Sequence, residues 1–309
     1  MTTETQDKPL YRPRIYVHAP FRPAEPQALL KKIVLEHIRK LGFDPQEFQV
    51  SGLPRGDSFT LARAVEVMRQ CDGALILALS RKADSGPGST GAPSEYAHFE
   101  GALALASGLP TIVIAEEGMG RRGILSASSA ASLAIPMSDL EGWVGQEQLV
   151  REPPFERWVS RVRERYDVFF GYCSKADRVA QNMKAYLTEE AGMRVLDWAT
   201  DFRAGRTIMH EIDRASATCR CALFLFTVDD PIEGSATQTV VPRDNVLLEA
   251  GYFMNARGAK RVVVVREKGT KMPADLGGLI YLRLERRNAW RQTAQQVAHE
   301  LRLQMSEGS

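Results

Sequence analysis

Cysteine is scarce in this chain, and the four present lack the paired C-x-x-C spacing of a zinc site: Cys71, Cys173, Cys219 and Cys221 in 309 residues. A chain of this size has no need of disulfide staples, so the four read as reduced thiols. The five histidines, His18, His37, His98, His210 and His299, show no ligand spacing, and no metal is expected. Long apolar runs are missing too, which argues against membrane-spanning helices. Charge of one sign is not in surplus: 40 Lys and Arg against 38 Asp and Glu leave a formal net charge of +2, too little to mark nucleic acid or anionic lipid as a partner. Residues 1–13 are polar, with no apolar stretch of the secretory kind; they read as a flexible start, with the cytoplasm as the default compartment.

What is present is a globular composition, 44% hydrophobic and 25% charged, in a chain long enough for two domains. In the second half, strand and helix periodicities alternate. Tyr166 to Tyr172, Arg194 to Trp198, Ala222 to Thr227 and Arg261 to Arg266 read as strands, and Ala176 to Glu190, Thr207 to Ala217 and Val246 to Asn255 as the helices between them. Leu279 to Leu284 adds a last strand and Ala289 to Met305 a closing helix. Such alternation implies a parallel sheet with helices on both faces.

The first half follows the same order: strand Arg14 to His18, helices Pro26 to Leu41 and Phe59 to Gln70, strand Gly73 to Leu79, helix Tyr96 to Ala106 and strand Thr111 to Ala115. Gly56 and Gly205, Leu75 and Leu223, Glu100 and Glu249, and Trp143 and Trp290 recur at nearly constant spacing. Either the chain is an internal duplication or two flavodoxin-like units share the common spacing of βα repeats. The expected fold class is α/β, two tandem flavodoxin-like domains over 14–146 and 164–305. The polar segment 147–163, with Pro153 and Pro154, reads as the linker between them.

One carboxylate stands out. Arg243-Asp244-Asn245-Val246-Leu247-Leu248-Glu249-Ala250-Gly251-Tyr252-Phe253 places Glu249 in an apolar helical pattern just after the strand-like Ala222 to Thr227. Ligands of open α/β sheets bind outside the carboxyl ends of the strands, where the next helix begins.

Around this segment the second half, over roughly 164–285, resembles the TIR domain, and more narrowly the bacterial TIR-like proteins described as predicted nucleotide-binding. Tyr166-Asp167-Val168-Phe169-Phe170-Gly171-Tyr172 resembles the first TIR strand. Val195-Leu196-Asp197-Trp198 with Asp201-Phe202-Arg203-Ala204-Gly205-Arg206 resembles the second strand and BB loop, and Arg243-Asp244-Asn245-Val246 with Glu249-Ala250-Gly251-Tyr252-Phe253 resembles the family's glutamate helix. The resemblance implies recognition of NAD as a substrate rather than a cofactor, and cleavage of its nicotinamide–ribose bond with Glu249 as the catalytic carboxylate. It implies substrate-binding roles for Gly171, Tyr172, Asp201, Phe202, Arg203 and Arg243, with Asp201 to Gly205 as a mobile loop at the site. It further implies a role in antiphage or stress signalling, assembly into a homo-oligomer or filament, and activation by assembly or by a cyclic or other nucleotide. The same glutamate would serve a synthase that makes a cyclic or conjugated ADP-ribose messenger, and a non-catalytic nucleotide-binding assembly module is a third reading.

Plain structural roles stand beside these: Arg243 and Asp244 as helix caps, and Trp198 and Tyr252 as packing. In the first half, Ser94-Glu95-Tyr96-Ala97-His98-Phe99-Glu100 offers a counterpart carboxylate in a segment with a weaker likeness to TIR and nucleoside deoxyribosyltransferase folds. Glu100 is therefore a candidate second site, in a domain otherwise read as regulatory or scaffolding. The loop Ser85 to Pro93 before it either closes over a ligand or stays disordered.

Overall fold

A computed structural model describes residues 12–20, 23, 25–47, 61–80, 91–126, 130–140, 142, 148–228, 230–231, 240–272 and 281–306. Residues 1–11 of the polar start, Gly56, residues 85–90 of the loop before Glu100, Trp143 and Leu279 lie outside them. The described residues divide into two compact units, one over Arg12–Glu164 and one from Arg165 onward.

The N-terminal unit is built on strands β1 (Arg14–His18), β2 (Asp44–Glu47), β3 (Gly73–Ala78), β4 (Thr111–Glu116) and β5 (Ala131–Ile135). They form one parallel sheet in the order β2-β1-β3-β4-β5. Helices α1 (Gln27–Lys40), α2 (Leu61–Arg69) and α3 (Glu95–Ala106) are followed by α4 (Gln148–Arg151) and α5 (Pro153–Arg163). Successive residues of β1 and β3 point to opposite faces, as a strand requires. Ile15, Val17, Leu75 and Leu77 pack with Leu30, Val34 and Ile38 of α1. Tyr16 and Ala74 pack instead with Ala64 and Met68 of α2.

Within the segment read as a linker, residues 148–151 and 153–163 form α4 and α5. Pro153 and Pro154 occupy the first positions of α5, where an absent N–H costs nothing and a fixed φ favours the turn. Phe155, Trp158 and Val162 of α5 are buried in the N-terminal core, and the Trp158 indole donates to the Pro110 carbonyl at 3.0 Å. Trp158→Phe is expected to cost this unit about 1–2 kcal/mol, one net hydrogen bond plus the volume of the smaller ring. A urea midpoint lowered without a change of slope checks this.

The C-terminal unit has strands β6 (Tyr166–Tyr172), β7 (Val195–Asp197), β8 (Cys219–Phe226), β9 (Asp230–Pro231), β10 (Val240–Val241), β11 (Val262–Glu267) and β12 (Leu282–Leu284). Its helices are α6 (Asp177–Ala185), α7 (Trp198–Asp201), α8 (Ile208–Thr218), α9 (Asp244–Arg257) and α10 (Trp290–Ser306). The main sheet is parallel in the order β12-β11-β8-β6-β7, while β9 and β10 pair antiparallel in the connection between β8 and α9. Every residue of β8 is buried, as a central strand covered on both faces demands. Leu223 and Leu225 face α6 and α10, whereas Phe224 and Phe226 face α8 and α9. Read from the opposite edge, β7-β6-β8-β11-β12 is the strand order of the N-terminal unit, so both are doubly wound α/β sheets of one topology.

Candidate functional site

Helix α9 starts with Asp244 in its first turn, which suits the positive end of the helix dipole, and stops at Gly258, whose φ of 89° few other residues adopt. Val246, Ala250 and Phe253 form its buried stripe at helical spacing. Glu249 lies within that stripe and is 8% exposed. Among the described residues no side chain or backbone group donates to its carboxylate, and burial pushes the carboxyl up to about 7.

Gly171 of β6 makes room for it. A Cβ at 171 would meet Phe224 at 2.6 Å and Glu249 Oε2 at 3.0 Å, so only glycine lets helix and strand approach this closely. The carboxylate borders a cleft of about 360 Å³ at the carboxyl end of the sheet. Tyr172, Cys173 and Ser174 line it after β6, and Trp198, Phe202, Arg203 and Arg206 line it after β7. Ile208 and Glu211 of α8 and Arg243, Asn245 and Val246 at the start of α9 complete it.

Four of the six binding residues read from sequence therefore share the cleft with Glu249: Tyr172, Phe202, Arg203 and Arg243. Gly171 touches it only by giving Glu249 space. Asp201 is not among the lining residues; its Oδ2 accepts the Asp197 N–H at 2.8 Å, which ties the loop to the end of β7. Phe202 reaches the cleft while stacked on Phe169, ring centroids 5.9 Å apart.

The Tyr172 hydroxyl is engaged, donating to Asp197 Oδ1 at 3.0 Å and accepting from Gln181 at 2.8 Å. Burial first, then the Asp197 charge, raises its pKa. Burial alone would also raise Asp197, but the Lys184 ammonium at 2.9 Å, the Ala199 N–H and the other donors hold it below the ordinary range. This network fixes the tip of β7 from which the cleft-lining loop departs.

Arg206, Glu211, Asn245 and Trp198 were not among the binding residues read from sequence. Arg206 and Asn245 sit within the matched motifs and were legible there. Glu211 carried no motif. It is 2% exposed; burial pushes its carboxyl up, and the Arg214 hydrogen bonds, with the Arg203 N–H, more than reverse this. Arg214 also donates to the Asp201 carbonyl at 3.0 Å, so Glu211 and Arg214 together hold the 201–206 loop. The Trp198 indole N–H and Glu211 Oε1 are buried and have no partner among the described residues.

Glu100 lies in the other unit. It is 5% exposed on α3; its Oε2 accepts from the Tyr16 hydroxyl at 2.6 Å and lies 3.0 Å from His18 Nδ1.

The C-terminal unit is thus a parallel five-stranded α/β sheet with a buried carboxylate in the helix after its central strand, beside a cleft lined by three arginines. Residues 167–286 match the family model "CAP12/Pycsar effector protein, TIR domain", and the C-terminal half is similar to this bacterial TIR-like family. The chain is 28% identical over 125 residues to Pycsar effector protein BcPycTIR of Burkholderia cepacia, covering 40% of this chain and 41% of that protein. It is 28% identical over 119 residues to CD-NTase-associated protein 12 of a Lachnospiraceae bacterium, covering 38% and 37%. The match thus spans about two fifths of those relatives. Among solved structures, the TIR domain of the Toll-related receptor TRR-2 from Hydra magnipapillata aligns at 12% identity and a TM-score of 0.35, over 44% of this chain and 98% of that one.

Proposed function

We propose that the C-terminal unit cleaves the nicotinamide–ribose bond of NAD, as an effector in bacterial antiphage or stress signalling. The observation that carries this reading is Glu249: a buried carboxylate that accepts no hydrogen bond among the described residues, bordering a cleft whose other charged lining is Arg203, Arg206, Glu211 and Arg243. Departure of nicotinamide leaves an oxocarbenium-like ribose, and the nearby carboxylate stabilises that charge where water does not screen it. Nicotinamide leaves as a neutral molecule, so no general acid is required. The guanidiniums suit a diphosphate, which they can pair in bidentate fashion, and the start of α9 favours an anion nearby.

Self-assembly belongs to the same reading, supported by Ile208 and Met209, 57% and 43% exposed at the start of α8 beside the cleft. A nucleotide signal that triggers assembly would fit effectors of this family. Among the described residues no helix is long and apolar enough to cross a membrane.

Incubating the chain with NAD and following nicotinamide by chromatography tests the reading. Free ADP-ribose marks hydrolysis and a cyclic or conjugated product marks synthesis; no release, with or without candidate nucleotide activators, overturns it. Arg206→Ala is expected to raise KM about tenfold with a smaller change in kcat, since the loss of a phosphate contact weakens substrate and transition state alike. Steady-state kinetics against NAD concentration checks that split.

A further inference from the structure

The shared topology allows the two units to be compared residue by residue. In β3, Ile76 lies two residues before the strand's end, as Phe224 does in β8. His18 pairs with Ile76, and Gly171 pairs with Phe224. Tyr16 likewise pairs with Ala74, and Phe169 with Ala222. Glu100 is the sixth residue of α3 and Glu249 the sixth of α9. Both units thus place a buried carboxylate at one position of the fold, facing opposite neighbours. Where Gly171 leaves Glu249 without a donor among the described residues, the N-terminal unit sets Tyr16 and His18 against Glu100.

The pairing is incomplete in a specific way. Tyr16 and His18 converge on one oxygen, Oε2, and leave Oε1 outside both bonds. A carboxylate only accepts, so His18 Nδ1 donates to Glu100; in the neutral tautomer that this bond selects, Nε2 is an acceptor. His18 is 6% exposed, and among the described residues its buried Nε2 has no partner. A leftover ring nitrogen beside a carboxylate, at the crevice end of a parallel sheet, is placed to meet a ligand that brings donors.

We propose that the N-terminal unit holds a second, separate binding site for the ribose diol of a nucleotide, with Glu100 Oε1 and His18 Nε2 accepting its two hydroxyls and Tyr16 fixing the carboxylate. A vicinal diol supplies two adjacent donors, which is what the cluster lacks. The site binds rather than cuts, because Oε2 is already committed to two hydrogen bonds that disperse its charge.

The test uses the full chain carrying Glu249→Gln, so that turnover in the other unit does not interfere. Calorimetric titration with AMP, GMP, CMP and UMP, and with their 2′-deoxy counterparts, is expected to show at least one ribonucleotide binding ten times or more tighter than its deoxy form. Adding Glu100→Gln or His18→Phe should weaken that binding tenfold or more and erase the discrimination against the deoxy form. Glu100→Gln is isosteric, so it keeps the test decisive should His18→Phe fail to fold. The proposal is overturned if none of the four ribonucleotides binds, if the deoxy forms bind equally well, or if both variants bind as the Glu249→Gln chain does. Any of these outcomes leaves nicotinamide release by the unsubstituted chain, and so the proposed activity, untouched.

Discussion

Replacing Glu249 with glutamine should abolish nicotinamide release and, at pH 8, make the C-terminal unit more stable. The two effects have one cause. Glu249 is 8% exposed, and burial without a compensating donor raises its carboxyl from 4.5 to about 7. Between those values the folded chain binds more protons than the unfolded chain, so stability falls as pH rises through the window and reaches its floor above it. At about 1.4 kcal/mol per pH unit, the interval from 4.5 to about 7 amounts to roughly 3 kcal/mol of destabilisation at pH 8. Glutamine fills the same space uncharged and removes that cost, so the urea midpoint should rise at pH 8 and stay near the unsubstituted value at pH 4.5. Activity should drop about 10³-fold, the scale seen when a preorganised electrostatic group is lost. For the unsubstituted chain, kcat/KM should climb about tenfold per pH unit below 7 and level off above, because only the ionised carboxylate stabilises the ribosyl cation. The inflection in kcat should lie lower, since a bound pyridinium favours the charged form. A glutamine variant that is inactive yet no more stable than the unsubstituted chain at pH 8 would show that the carboxylate is not desolvated as described.

That a stabilising substitution should destroy activity explains why Glu249 was visible in the sequence. It occupies a buried position of α9 between Val246, Ala250 and Phe253, where packing alone would select an apolar side chain. A conflict between local pattern and residue type is what a functional group leaves behind. The central strands were legible for a related reason, since continuous apolar runs such as Ala222 to Phe226 have few other uses. The edges were not. Asp44–Glu47 carries no strand pattern and pairs with β1 at the sheet edge, where its proline is tolerated. Pro153 and Pro154 read as a break but begin a helix, because the meaning of a proline depends on whether it falls in the first turn. Glu211 was invisible because its importance lies in holding the 201–206 loop through Arg214 and the Arg203 N–H, contacts that exist only after folding.

Gly171→Ala is expected to damage both stability and catalysis through a single methyl group. The added Cβ would stand 2.6 Å from two ring carbons of Phe224 and 3.0 Å from Glu249 Oε2. Phe224 cannot turn aside: it is fully buried, and its ring packs on Phe169 at 5.9 Å and on Phe253 at 5.7 Å. Helix α9 must therefore move away from β6, an overpacking that costs about 1–3 kcal/mol. The displacement carries Glu249 with it, and a shift near 1 Å at a reacting centre lowers kcat on the order of 10²-fold. Urea midpoints and steady-state kinetics read the two effects separately. The N-terminal unit shows how the fold tolerates a side chain at this position, since His18 sits there opposite Ile76 rather than a phenylalanine. Adding Phe224→Leu to Gly171→Ala should accordingly restore most of the lost stability, because the 2.6 Å contacts are with the ring. Activity should stay low, because the 3.0 Å contact with the Glu249 carboxylate remains. If the double variant regained both together, Gly171 would serve only the packing of Phe224 and not the placement of Glu249.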